Sequence, residues 1–138
     1  MSAYKGAAPL IANKTYLEAA AGILAAEAFH AGLIRTILYR KGLQTPNPIP
    51  SLITAANQIS DARDSLDGSS DDDQGITGSD PTISNIVPTD ANGLAYSRSV
   101  AQVHNIVYLT NTAKIGGGFF PNGTNNRLDS LRTSGANA

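Results

Sequence analysis

Residues 15–41 read TYLEAAAGILAAEAFHAGLIRTILYRK. Within them Leu17, Ala20, Ala21, Leu24, Ala28, Ala31, Ile34 and Leu38 recur at spacings of three and four, the repeat that gathers apolar side chains on one stripe of an α-helix. Thr15 followed by Glu18 fits a capping box. Arg40 and Lys41 suit the negative end of the helix dipole, and Gly42 suits a C-terminal cap. The many alanines let a neighbouring helix approach closely, which fits a packed bundle better than a lone surface helix.

Downstream, Pro46, Pro48 and Pro50 predict an extended connector, because proline fixes its own backbone and keeps the preceding residue out of the helical region. A second stripe of Leu52, Ala55, Ala56, Ile59, Ala62 and Leu66 predicts a shorter helix packed on the first. Residues 67–88 are rich in Gly, Ser, Asp and Pro and carry no period, so they read as a loop of unusual length. A third helix is expected over about residues 100–110, opened by a Ser99 and Gln102 capping box. Gly116-Gly117-Gly118 ends regular structure, and residues 124–138 read as a flexible tail behind a single domain of residues 1–123. There is no internal repeat.

The 138 residues can bury a real core, yet Trp is absent and Phe and Tyr number three and five, so few large side chains are available to fill it. A net charge of −1 gives no electrostatic reason to expect a nucleic-acid partner. The acid is concentrated: residues 61–80 hold seven acidic side chains and one basic. Without cysteine, any metal must be held by oxygen and imidazole. The first residues lack the basic and apolar regions of a signal peptide, and Glu27, His30 and Arg35 interrupt the longest apolar stretch, so no membrane span is expected.

Glu27-Ala28-Phe29-His30 is the sharpest chemical feature. Glu and His three apart on a helix project from neighbouring positions and can ligate one metal ion. Glu27 shares its heptad column with Ala20 and Ile34, and His30 with Ile23 and Ile37, so both are expected to point into a bundle interior. An ionised carboxylate there needs compensation, which a metal would supply. The alternative is that Glu27 reaches an arginine or a hydroxyl while His30 is a core histidine bonded to a carbonyl. A carboxylate-bridged dimetal centre needs two such motifs and two further Glu, and the other histidine, His104, follows Val100-Ala101-Gln102 with no matching Glu.

Other candidates carry less. Asp71-Asp72-Asp73 with Asp67 and Gly75 lacks the glycine and terminal Glu of a calcium loop and reads as a solvated acidic loop. Asp61 and Asp64 read as surface or capping residues. The triple glycine lacks the Lys-Ser/Thr ending of a phosphate-binding loop. Asn13-Lys14-Thr15 and Asn122-Gly123-Thr124 are glycan acceptor strings that matter only in a secretory compartment.

Several strings resemble the desiccation-related proteins of the ferritin-like superfamily. They include Ala3-Tyr4-Lys5-Gly6-Ala7-Ala8-Pro9-Leu10, Tyr16 through Gly32, Ser60-Asp61-Ala62-Arg63-Asp64-Ser65-Leu66-Asp67-Gly68 and Asp73-Gln74-Gly75-Ile76. Residues 85–95, Asn105-Ile106-Val107-Tyr108-Leu109 and Gly117-Gly118-Phe119-Phe120-Pro121-Asn122-Gly123 continue the likeness. The resemblance implies an all-α fold, a partial ferritin-like bundle made of its last helices and followed by short helices and long irregular loops. It implies that residues 15–41 are the fourth bundle helix, that Glu27 and His30 occupy the ferritin-like Glu-x-x-His position, and that the remaining ligand positions lie upstream of Met1. Many members are secreted or wall-associated and stress-linked.

Three functions are therefore expected in order. The first is a non-catalytic structural or protective protein, homo-oligomeric or completed by a partner chain that supplies the missing bundle helices, with an apolar face along Leu17, Leu24, Ala31 and Leu38 that is exposed unless a partner covers it. The second is an iron or manganese oxidoreductase whose site is Glu27 and His30 plus residues of another chain. The third is a wall- or carbohydrate-binding module using Tyr96, Phe119 and Phe120.

Overall fold

A computed structural model describes residues 1–44 and 51–135. Among these the chain forms four α-helices, α1 (Ser2–Ala7), α2 (Lys14–Gln44), α3 (Leu52–Asp67) and α4 (Val100–Tyr108), with short 3-10 turns at Ala8–Leu10 and Asp129–Leu131. No strands form beyond two isolated bridges, Thr77 with Ser84 and Gly117 with Phe120. The expected proline connector at residues 46–50 lies outside the described residues, as do residues 136–138 of the expected tail.

Local chemistry sets the helix ends. α2 starts one residue before the expected Thr15, because Asn13 caps it: its Oδ1 accepts the amides of Thr15 at 2.9 Å and Tyr16 at 3.3 Å. Glu18 has no part in the cap. At the other end α2 runs past Gly42 to Gln44. Gly42 is instead a packing glycine, where an added Cβ would come within 2.6 Å of Ile53 Cγ1 on α3. Ser51 caps α3 through the Thr54 amide, and the Ser99–Gln102 capping box on α4 is present in both directions.

α2 packs on α1 and α3, α3 on α4, and α1 on α4. The centre of this arrangement is polar. Its buried apolar side chains are Ala20, Ile76 and Tyr108, whereas Ser60, Asp67, Asp73, Thr77, Arg98, His104, Asn105, Thr110 and Ser134 are also buried. The expected stripe on α3 therefore fails in part. Ile59 is 64% exposed, and Ile53, Asn57, Ser60, Asp64 and Asp67 turn inward, with Ser60 and Asp67 fully buried.

Buried polar groups need partners, and these bonds hold the irregular segments. Asn57 on α3 accepts the Ile76 amide at 2.8 Å and donates to Thr77 Oγ1 at 2.8 Å. Arg35 on α2 donates through Nε to the Ile86 carbonyl at 3.0 Å and through Nη2 to the carbonyls of Gly75 at 2.5 Å and Asn85 at 2.7 Å. Asn105 donates to the Leu66 carbonyl at 2.7 Å and accepts the Gly135 amide at 2.6 Å.

Asp73 corrects the reading of a solvated acidic loop, since it is buried between two guanidiniums, Arg63 at 2.7 Å and Arg98 at 2.5 Å. Asp71 alone of the run is exposed. Within residues 124–135, residues 125–131 are exposed, while Ser134 is buried and its amide donates to the Lys114 carbonyl at 2.9 Å.

Candidate functional site

α2 has two apolar sides, and only one is covered. Ala20 is buried and Leu17, Leu24, Ala31 and Leu38 are half-buried on the side facing α1 and α3. The expectation that this row forms the exposed face is therefore corrected. The open face begins beside that row and runs round the far side, with Tyr16, Ile23, Phe29, Leu33, Ile34 and Ile37 exposed at 69%, 44%, 78%, 60%, 56% and 42%. A helix apolar on both sides is long and apolar enough, by length and composition alone, to cross a membrane, although Glu27, His30 and Arg35 interrupt it. Packing on α1 and α3 and the bonds from Arg35 to two loop segments account for one of its apolar sides within the protein.

His30 lies within the open face, about two turns from both Ile23 and Ile37 along its own column, and it is exposed. Glu27 sits at the border between the two sides, with its carboxylate 42% exposed and 2.5 Å from the Met1 amino group. The two residues are thus neighbours on α2, as their spacing requires, but they face outward from this chain rather than into its own core. Among the described residues no group of three or more His, Asp or Glu side chains is placed to hold a metal ion. The chain supplies two donors of mixed oxygen and nitrogen type, fewer than the four to six that iron or manganese takes.

His104 stands apart from this face. It is buried on α4, its Nε2 lies 2.9 Å from Thr124 Oγ1, and its ring tilts against Tyr108 with centroids 4.9 Å apart. Burial lowers its pKa from the ordinary imidazole value, with the Val100 carbonyl opposing that shift. Its neutral ring holds the 124 segment to α4.

The remaining candidates divide between fold and surface. Tyr96 is committed to the fold, donating to the Thr89 carbonyl at 2.9 Å and accepting from Gln74 at 3.0 Å. Phe119 and Phe120 are exposed at 74% and 43%. Asp61 is exposed, whereas one oxygen of Asp64 is buried without a partner among the described residues. Sequence reasoning missed the ion-pair cluster of buried Asp67, Asp73 and Arg98 with the half-exposed Arg63. The available signal was the polar row Asn57, Ser60, Asp64 and Asp67, which repeats at helical spacing as regularly as the apolar one.

Residues 1–40, spanning α1 and most of α2, match the ferritin-like domain family. The ferritin-like catalase Nec2 of Nesocodon mauritianus is 26% identical over 132 residues, covering 91% of this chain and 42% of the relative. The chain thus spans less than half the length of that curated relative. No solved structure matches. The segment bearing Glu27 and His30 is therefore similar to a ferritin-like domain, and the chain has the all-α fold of a partial ferritin-like bundle.

Proposed function

We propose that this chain is a component of a ferritin-like bundle of the desiccation-related type, acting as a structural or protective module whose α2 is covered by helices from a second copy or another chain. The observation that carries this reading is the open face of α2, six large apolar side chains surrounding an exposed histidine. A row of this kind is costly to leave in water and marks an interaction surface. The resemblance of the sequence to desiccation-related proteins supports the protective role and a secreted or wall-associated location.

A second reading is favoured by His30 on that same face with Glu27 at its border and by the relative described as a catalase. In it the covering helices add the missing donors, and iron or manganese held by Glu27 and His30 supplies redox chemistry. Two donors do not make a metal site, so no catalytic step is derived from this chain alone.

Light scattering joined to elemental analysis of the purified chain separates the readings. The structural reading expects an assembly that carries no stoichiometric metal and survives Glu27→Ala and His30→Ala. Stoichiometric iron or manganese lost in both variants would establish the second reading instead. A metal-free monomer that binds no partner helices would overturn both.

A further inference from the structure

The second chemically distinctive place in the molecule is a cleft of about 430 Å³ lined by Asn122, Thr124, Asn125, Asn126, Arg127 and Arg132. No carboxylate lines it. The lining offers two guanidiniums, three carboxamides and one hydroxyl.

The walls are held by the fold. The Tyr108 hydroxyl donates to the Arg132 carbonyl at 2.9 Å and accepts the Thr124 amide at 3.1 Å, so one α4 side chain sets the distance between the two sides of the cleft. His104 fixes the Thr124 hydroxyl from below at 2.9 Å. Gly123 closes against Arg132, where an added Cβ would lie 3.0 Å from Nη2.

Arg132 is the unusual member. Its side chain is three-quarters buried, 25% exposed, and its ion pair is a 3.6 Å contact with Asp129, whose own side chain is 71% exposed. Its Nε is buried with no acceptor among the described residues. A guanidinium three-quarters out of water, whose ion pair is a 3.6 Å contact to a mostly exposed carboxylate, keeps positive charge that an anion in the cleft would compensate. Arg127 stands in the same lining with no ion pair among the described residues.

We infer that this cleft is a binding site for a phosphate group, free or carried as a monoester. Arg132 and Arg127 supply charge-assisted donors, the form of contact that guanidiniums make best with phosphate oxygens. The Asn122 and Asn125 carboxamides supply neutral donors at the rim. The site is independent of how α2 is covered.

The test is titration of the full 138-residue chain with inorganic phosphate at constant ionic strength, followed by amide NMR shifts of Thr124 and Arg132. A saturable shift is expected, weakened about tenfold or more in Arg132→Gln and in Arg127→Gln, the size of one lost charge-assisted bond. Tighter binding of glycerol phosphate than of inorganic phosphate would support the site and assign it to a phosphorylated molecule; weaker binding would support it as a free-anion site. A non-saturable response, equal binding of acetate, or unchanged affinity in Arg127→Gln would overturn the proposal. Arg127 is exposed and outside the packed body, so that variant remains decisive even where Arg132→Gln fails to fold.

Discussion

Arg98 Nε donates to Asp67 Oδ2 at 2.6 Å, and the two side chains are 8% and 0% exposed. The same guanidinium reaches Asp73 at 2.5 Å and the Ser2 hydroxyl, and the Arg98 amide donates to the Ser2 carbonyl. One residue outside any helix therefore ties the end of α3, the acidic loop and the start of α1 together. Gly6 makes this possible, since a Cβ there would lie 1.9 Å from the Arg98 carbonyl oxygen.

Arg98→Met is expected to destabilise the chain by about 3–5 kcal/mol at neutral pH, the cost of leaving a buried partner charge uncompensated. The loss follows from Asp67, left fully buried without a cation, and from Asp73, left with the half-exposed Arg63 alone. Urea unfolding of the variant and parent measures it. A difference under about 1 kcal/mol would mean that the pair holds nothing together.

Asp64 sets a pH dependence. Burial is the first cause of its raised pKa, followed by Asp67 and Asp71, with the Asp73 backbone pulling the other way. A raised folded value means that the fold prefers the neutral carboxyl. Its stabilising effect is present below the unfolded value of 3.8 and is lost as pH rises through the folded one. Asp64→Asn should therefore be more stable than the parent at neutral pH, and the gap should close as pH falls through this window. Thermal melts of both proteins between acid and neutral pH check it; a gap that widens on acidification reverses the sign and rejects the assignment.

Much of the helical layout is legible in the sequence because the 3.6-residue repeat and the Ser99–Gln102 box are local signals. The cap of α2 was misread because Thr15 and Glu18 satisfy the same pattern, while Asn13 sits two residues earlier and reaches the free amides first. The inner side of α3 was misread for a different reason. Apolar periodicity assumes an apolar core, and this core is built from ion pairs and amide bonds between segments up to 96 residues apart. The pair Glu27 and His30 is legible as neighbours on one helix, but the inward orientation expected from their heptad columns does not hold within this chain, where His30 is exposed and Glu27 meets the Met1 amino group.

Asn57 shows how that polar core holds a loop. It accepts the buried Ile76 amide, and Ile76 itself is 2% exposed. Asn57→Ala strands that amide and the Thr77 hydroxyl, with an expected loss of about 1–3 kcal/mol, the desolvation cost of a buried group left unpaired. Hydrogen exchange at Ile76 should rise well above that of α3 amides in the same variant. Unchanged exchange would show that another acceptor takes the amide.

The open face of α2 yields the sharpest separation between folding and assembly. Ile34 and Phe29 are 56% and 78% exposed in the single chain, so replacing them by charge removes few contacts within it. Ile34→Glu and Phe29→Lys should each change unfolding stability of the isolated chain by no more than about 0.5 kcal/mol, the usual range for surface positions. A covering helix would bury the same side chains, at up to about 1.5–3 kcal/mol for each large apolar group, and a charge placed there would have to be desolvated. Loss of the assembled species in light scattering, with unchanged unfolding of the monomer, is the expected pair of results. Assembly that persists in both variants would place the contact on another surface and leave His30 in water.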